Sequence, residues 1–340
     1  MFGLRGFRVA ILVSILLGMI GCATFKAGRE HDQALRAFKD HRYEIAEDHL
    51  QSALKANPGD ERATSLLGWV RFKQGRTEEA RKLFTEAYQR NPENFAAIEG
   101  LGWVQYVYGQ DEDAEQEFRK LIKLAERHFE NPLWRYYKPN DREIIQSIHS
   151  EANYALGLII KRRGKWGAAR THFENALSRP NQFIDREIIA KELADTLFQL
   201  GEYKAAAIFY KEFLFKNPKD LFLLNRTAWC LYQTGNLEEA KSLYLKSKEL
   251  SSLAAEYYQE SLGSQSITQR LYAKRMAEPC YGLALIYVKE KRLDAALEEL
   301  AYALKISPFF HHPKEITLLL DQYPEWQETL RRRSLGRLLP

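Results

Sequence analysis

Apolar side chains recur along this chain at the spacing of helices that bury one face, and residues 28–308 follow this spacing almost throughout. Glycine or the pair Asn-Pro interrupts the pattern at regular intervals. Glycine and Asn-Pro each terminate a helix, because glycine adopts a left-handed backbone without steric cost and proline cannot donate a hydrogen bond inside a helix. The pattern therefore predicts an all-α protein of short, paired helices.

The sequence pattern of one helical hairpin occurs twice between residues 61 and 118. Gly68-Trp69-Val70 returns 34 residues later as Gly102-Trp103-Val104, and Asn57-Pro58 returns as Asn91-Pro92. Further residues that return at the same interval are Gly75, Ala80 and Phe84, as Gly109, Ala114 and Phe118. A fixed period of this kind predicts a stack of repeats, in which function lies on the surface of the stack.

This period and its residues resemble the tetratricopeptide repeat. In that family Gly or Ala at positions 8, 20 and 27 lets two antiparallel helices approach closely, and large residues at positions 4, 11 and 24 fill the space between them. The resemblance implies an all-α, right-handed α-solenoid of about seven helical hairpins over residues 28–308. The predicted units cover about residues 27–60, 61–94, 95–128, 150–186, 187–220, 221–252 and 277–310.

Two stretches, near residues 128–148 and 252–273, break the period and predict longer helices joined by a looped tip. The first contains Trp134, Tyr136 and Tyr137, which predict contact with a partner because exposed aromatic clusters are unusual. The alternative is a tolerated loop without a role.

Residues 309–340 predict a pair of short helices that cap the last repeat, followed by a basic tail. Arg331-Arg332-Arg333 and Arg337 fit either a solvated helix end or contact with anionic phospholipid.

The N-terminus predicts an export signal, because Arg5 and Arg8 precede a short apolar run in residues 1–21. Gly21-Cys22 resembles the end of a bacterial lipoprotein signal. That resemblance implies acylation of Cys22, a tether over residues 22–28 and an outer-membrane location facing the periplasm. The alternatives are an uncleaved signal anchor and an inner-membrane location.

Composition and charge narrow the function. The 340 residues are 45% apolar and 28% charged, which is typical of a folded chain, and a net charge of +5 is too small and dispersed to predict nucleic-acid binding. Eight scattered histidines and three cysteines without CxxC spacing predict no catalytic site, cofactor or metal. Cys230 and Cys280 are expected to be buried free thiols, with a disulfide between them as the alternative.

In the tetratricopeptide family, positions 2, 5, 9, 12 and 13 of each unit line a concave groove. Carried onto this chain, those positions predict an aromatic binding stripe, although packing against the next repeat is the alternative for each residue. The predicted groove residues are Trp69, Phe72, Lys73, Trp103, Tyr106, Tyr154, Lys161, Phe198, Trp229 and Tyr232, and the same positions also hold Glu99 and Tyr281.

The sequence therefore predicts a membrane-anchored, non-enzymatic scaffold that binds a protein of the cell envelope through this groove and takes part in assembly or export at the outer membrane. The alternative is a glycan-binding module in peptidoglycan or exopolysaccharide handling. Neither the partner nor the oligomeric state follows from the sequence.

Overall fold

The computed structural model describes residues 24–182, 184–261, 267–307 and 314–333, which form sixteen α-helices and a 3₁₀ turn without a β-strand. The predicted signal peptide, Cys22, and the basic side chains of residues 331–333 and 337 lie outside this description. The helices are α1 (residues 24–39), α2 (Tyr43–Ala56), α3 (Glu61–Lys73), α4 (Thr77–Arg90), α5 (Phe95–Val107), α6 (Asp111–Glu130), α7 (Pro139–Arg162), α8 (Trp166–Leu177), α9 (Arg186–Gln199), α10 (Tyr203–Lys216), α11 (Leu221–Gln233), α12 (Leu237–Ser261), α13 (Ile267–Lys289), α14 (Leu293–Ile306), α15 (Lys314–Gln322) and α16 (Pro324–Arg333).

Successive helices pair into seven hairpins, from α1 with α2 to α13 with α14, and α15 and α16 close the chain. The chain divides into two compact units, with the boundary between Ile189 and Ala190 inside α9. Within each unit, the second helix of one hairpin packs on the first helix of the next. The predicted all-α fold of repeated hairpins is confirmed.

In the first unit, a glycine on the first helix of a hairpin faces a buried phenylalanine ring on the second. A Cβ added at Gly68 would lie 2.6 Å from the Phe84 ring, so the glycine is what allows the helices to approach this closely. The three pairs are Gly68 with Phe84, Gly102 with Phe118, and Gly157 with Phe173. Their identical surroundings show that the sequence period is a packing period.

The second unit repeats this packing with alanine in place of glycine. Ala228 and Ala284 are fully buried in the same core cluster as Tyr244 and Leu300, which fill the large positions. A Cβ added at Gly282 would lie 2.2 Å from the Tyr244 ring. The large residue therefore contacts its own hairpin and the next one.

Short polar residues begin several first helices. The Asp60 carboxylate accepts hydrogen bonds from the backbone N–H groups of Arg62 (3.0 Å) and Ala63 (3.1 Å), and Asn94 accepts one from Ala97 (2.9 Å). These bonds satisfy N–H groups that have no partner within the helix. They explain why α3 and α5 begin just after Asn57-Pro58 and Asn91-Pro92.

A residue with positive φ closes the turn inside the hairpins. Five glycines take φ between 71° and 83°, while His41 (59°) and Lys291 (60°) take the same conformation in the first and last hairpins. The glycines are Gly75, Gly109, Gly164, Gly201 and Gly235. The predicted helix-ending role of glycine is confirmed, and two hairpins use a residue that is strained there.

Both insertions lengthen helices, as predicted. The first extends α6 and α7, which are joined by the 3₁₀ turn Trp134–Tyr136. The second extends α12 and α13, and the tip between them, residues 262–266, lies outside the described residues. The helix α13 continues through Pro279, which the sequence pattern did not indicate.

The helices α15 and α16 cover the end of the second unit. Ile316, Leu319, Trp326 and Leu330 are buried in the cluster that contains the apolar side chains of α13 and α14. The predicted capping pair is therefore confirmed for residues 314–333.

Candidate functional site

The predicted groove residues lie on the first helices of the hairpins. In the first unit α3 packs against α5 and α5 against α7, so their predicted residues share a surface of neighbouring helices. These residues are Trp69, Phe72 and Lys73 on α3, Trp103 and Tyr106 on α5, and Tyr154 and Lys161 on α7. The second unit carries Phe198 on α9 and Trp229 and Tyr232 on α11.

Trp69 helps to join two repeats. Its indole Nε1–H donates to the Ala96 carbonyl oxygen of the next hairpin at 3.1 Å. Its half-buried ring meets Phe72 and Phe84 edge to face, with centroids 5.7 and 5.4 Å apart. Trp69 therefore binds the next repeat and still keeps part of its ring exposed.

Trp103 has the same position one repeat later, with one difference. Its ring meets Tyr106 and Phe118 at 5.6 and 5.4 Å, as in the preceding repeat. Its side-chain N–H, however, bonds the carboxyl group of Glu151. Glu151 and Ala96 are both the second residue of their units, so a side chain here replaces a backbone acceptor.

Glu99 and Glu151 form a buried carboxyl pair between α5 and α7. The residues are 7% and 8% exposed, and their side chains are hydrogen bonded to each other. Burial, and secondarily the charge of Glu151, raises the pKa of Glu99 well above its usual value, and the hydrogen bond between the two carboxyl groups requires a proton on one of them. The Glu99 Oε1 atom is buried without a hydrogen-bond partner among the described residues.

Burial also raises the pKa of Glu151, and its bond to Glu99, the charge of Lys73 and the bond from Trp103 oppose that rise. Lys73 is exposed on α3 and acts on both carboxyl groups through its charge. The sequence reasoning placed Glu99 in the groove but missed Glu151. The sequence signal that could have indicated the pair is an acidic residue at position 5 of one unit, Glu99, and another at position 2 of the next unit, Glu151.

The other predicted residues of the first unit are partly covered. The guanidinium of Arg162 lies 4.1 Å from the Tyr106 ring centroid and also binds Asp111 at 2.7 Å. Tyr154 is 9% exposed and Lys161 is half-buried. Accessible groove surface in this unit therefore concentrates on α3 and α5.

The second unit has a related polar pair at equivalent positions. The Asn225 Nδ2 donates to Glu278 Oε2 and to the Arg275 carbonyl oxygen, both at 3.2 Å. Residue 275 is four residues before Pro279, and a proline has no N–H to bond that carbonyl. Asn225 therefore compensates the proline inside α13, while its Oδ1 is buried without a partner among the described residues.

Cations lie over two of the three predicted aromatic residues of the second unit. Arg226 lies 4.2 Å from the Phe198 centroid, and Lys289 lies 4.0 Å from that of Tyr232. Tyr232 is 9% exposed, while Trp229 is half-buried and meets Tyr232 at 5.8 Å. Of these three aromatic residues, Phe198 and Trp229 are half-buried and therefore partly accessible, whereas Tyr232 is buried.

The insertion aromatics form an internal cluster with one exposed member. Trp134 lies 5.1 Å from Phe129 and 5.3 Å from Tyr137, and the Tyr137 hydroxyl accepts a hydrogen bond from Asn131 at 3.2 Å. Tyr136 is 71% exposed. The exposure that motivated the predicted contact therefore belongs to Tyr136, while Trp134 and Tyr137 are half-buried because they pin the loop to α6.

In the described part of the chain, no cluster of three or more His, Cys, Asp or Glu side chains has metal-binding geometry. Cys230 and Cys280 are buried and free, as expected, and burial raises the pKa of Cys230 to about 12. Such a thiol is unreactive at neutral pH.

Comparison with protein families gives one repeat type. A family model described as a tetratricopeptide repeat matches residues 31–95, 154–220 and 193–255. Two further models of the same description match residues 71–130 and 277–310, and together the segments cover more than half of the chain. No curated protein matched the chain.

Among solved structures, PilF of Pseudomonas aeruginosa is similar, with a TM-score of 0.51 and 19% identity over 71% of this chain and 99% of that one. YrrB, described as a TPR protein with an unusual peptide-binding site, has a TM-score of 0.47 and 19% identity over 66% of this chain and 93% of that one. The C-terminal part of a TPR protein from Cytophaga hutchinsonii has a TM-score of 0.48 and 16% identity over 82% of this chain and 95% of that one. At these identities the likeness concerns the fold. None of the described helices combines the length and apolar character needed to span a membrane.

Proposed function

Because the chain belongs to the tetratricopeptide repeat family, whose members generally mediate protein–protein interaction, we propose that it is a non-enzymatic scaffold that holds a protein partner in the bacterial cell envelope. The partner binds in an extended or helical form along the first helices. The scaffold serves assembly or export at the outer membrane.

One observation carries this proposal: neighbouring first helices of the first unit present a row of half-buried aromatic side chains beside charged ones. Phe72 and Lys73 on α3 lie next to Trp103 and Tyr106 on α5. Aromatic side chains with polar neighbours give large contact area at low entropy cost, which suits the anchors of a binding surface.

The binding surface is tested by affinity capture with the full-length protein in detergent. We expect it to recover an envelope protein, and Phe72→Ala with Tyr106→Ala to lower recovery about tenfold or more, because two anchors are removed. The control Phe215→Ala truncates an aromatic side chain that is 89% exposed on the second helix α10 and is expected to change nothing.

Equal recovery by the double variant would overturn the groove as the binding surface. Binding of soluble peptidoglycan or exopolysaccharide fragments, lost in the same double variant, would instead support the glycan-binding alternative.

The anchor of the scaffold is acylated Cys22, which holds the protein at the outer membrane after removal of residues 1–21. Several acyl chains give a stable anchor, because each buried methylene contributes about 0.8 kcal/mol. Incorporation of an alkyne-labelled fatty acid should be lost in Cys22→Ser and kept in Cys230→Ser, and fractionation should place the wild type in outer membranes. Incorporation by Cys22→Ser would overturn the anchor.

A further inference from the structure

The Glu99–Glu151 pair is a polar arrangement that a packed repeat interface does not require. Two acidic side chains from successive first helices converge in a buried position, where an unpaired charge is unfavourable, and they share a proton. One acceptor atom, Glu99 Oε1, still has no donor. We propose that Glu99 and Glu151 receive one basic side chain, a lysine or an arginine, of the partner peptide.

This inference rests on the proposed binding role and adds the chemistry of the partner at one point. A bound ammonium or guanidinium group takes the place of the shared proton, which leaves to solvent, since it supplies several N–H donors to the carboxylate oxygens and offsets one of their two negative charges. It gives Glu99 Oε1 the donor that the unbound protein lacks. The neighbouring aromatic ring of Trp103 adds favourable contact with a cation.

An organic cation fits this pair better than a metal ion. Ca²⁺ takes six to eight oxygen ligands, whereas the described residues bring no third His, Cys, Asp or Glu to the two carboxyl groups. The protein already places cations on equivalent aromatic surfaces, with Arg162 on Tyr106 and Lys289 on Tyr232.

The second unit provides an internal comparison. Asn225 and Glu278 occupy the positions of Glu99 and Glu151, but the amide of Asn225 donates to Glu278 without a shared proton. That pair carries one acid in place of two and has less need of a cation. Glu99→Gln converts the first pair into the chemistry of the second with almost no change in shape.

Lys73 is the internal competitor for this site. Among the described residues, the charged groups that act on Glu99 are Glu151 from α7 and Lys73 from α3. Lys73 is exposed, so its attraction to the pair is weak and a partner's cation can displace it. Lys73→Met therefore removes a competitor and leaves the carboxyl groups in place.

The test uses the full-length protein in detergent micelles and fluorescence anisotropy of dye-labelled, acetylated and amidated hexapeptide pools. Each pool fixes one central residue as Lys, Arg, norleucine or Glu and randomises the others. We expect the Lys and Arg pools to bind at least about tenfold more tightly than the norleucine pool. Glu99→Gln should remove that preference, and the matched second-unit variant Glu278→Gln should keep it.

Lys73→Met should raise the affinity of the Lys pool up to about fivefold and serves as a second variant that leaves the pair intact. Equal binding of the norleucine and Lys pools, a preference that survives in Glu99→Gln, competition by Ca²⁺, or no binding by any pool would overturn the inference. Binding without basic preference would discard the cation site and retain the proposed peptide-binding role.

Discussion

Lys291 closes the turn of the last hairpin in a left-handed conformation that five other hairpins give to glycine. A side chain makes this conformation unfavourable by about 1–2 kcal/mol, because Cβ approaches the following carbonyl oxygen. We expect Lys291→Gly to stabilise the protein by up to about 1 kcal/mol, since glycine's larger entropy in the unfolded chain offsets part of the gain. Chemical denaturation would measure the change.

The matched control for this turn is Gly75→Ala, which places a side chain at φ 77° where no heavy atom lies within 4 Å of the added Cβ. Its effect therefore reports backbone conformation alone, and it should destabilise by about 1 kcal/mol. A Lys291→Gly variant that is less stable than the wild type would show that the lysine side chain contributes more than its backbone strain removes.

The Glu99–Glu151 pair makes stability depend on pH. Because the folded pKa of Glu99 lies well above its usual value of 4.5, the folded state holds more protons than the unfolded state at pH values above 4.5. Stability from this pair is thus present at low pH and is lost as the pH rises from 4.5 towards the folded pKa. Glu99→Gln keeps the hydrogen bond to Glu151 and removes that loss.

We therefore expect the melting midpoint of Glu99→Gln to exceed that of the wild type by about 2 °C or more at pH 8, with a smaller difference at pH 4.5. Taking the difference in melting midpoint between the two proteins cancels the effect of other titrating groups. One of these is His149, because its burial lowers its pKa to about 4. Parallel pH profiles for the two proteins would contradict the shared proton.

At this scale the sequence predicts glycine turns better than side-chain pairs. A glycine such as Gly164 is recognisable because its role depends on its own backbone. The meeting of Glu99 with Glu151 depends on the helix register across the first insertion, which the sequence does not specify. Half-buried Trp69 and fully buried Tyr281 both looked like groove residues, because position in the repeat does not report how far the next hairpin covers a ring.

At the scale of helices, a single methyl group tests the close approach of each pair. Gly157→Ala would place a Cβ 2.5 Å from the Phe173 ring, and overpacking of this kind destabilises by about 1–3 kcal/mol. Gly167, on the partner helix α8, has no heavy atom within 4 Å of an added Cβ. Gly167→Ala is therefore expected to stabilise by up to about 1 kcal/mol.

Thermal denaturation of the two alanine variants would separate packing from helix propensity, because both make the same chemical change in one hairpin. Equal effects at Gly157 and Gly167 would contradict the close approach of α7 and α8.

Pro279 in α13 is compensated by a side chain of another helix. The Arg275 carbonyl, which proline leaves without its helical donor, accepts from Asn225 Nδ2 at 3.2 Å. We expect Asn225→Ala to destabilise by about 1–3 kcal/mol, because the carbonyl and Glu278 both lose a donor. In Pro279→Ala the helix supplies its own N–H to that carbonyl, so Asn225→Ala should be less harmful.

A double-mutant cycle measured by denaturation gives this coupling directly. Additive effects of the two substitutions would mean that the Asn225 bond to the carbonyl contributes no net stability. Sequence reasoning correctly predicted longer helices around the second insertion, yet it could not foresee a helix through Pro279, since that depends on a donor 50 or more residues away.

At the scale of the whole molecule, each hairpin leaves an apolar face for its neighbour, so the last one needs a cover. Trp326 and Leu330 of α16 are 5% and 2% exposed in the cluster of the final hairpin. Because the final two helices lack the repeat pattern, the sequence predicted them from this need for burial. Energetics of such a stack are approximately a sum over neighbours.

Trp326→Ala therefore tests whether stability in this chain is local. We expect a loss of about 3–5 kcal/mol at the C-terminal end and faster hydrogen exchange in α13 to α16, with α2 to α4 unchanged, because a nearest-neighbour stack limits the loss to the hairpins next to the cap. Leu318→Ala, at a side chain 58% exposed on α15, should leave exchange unaltered. Equal acceleration in α2 to α4 would instead show that the chain opens as one cooperative body, and nearest-neighbour packing would then not account for its stability.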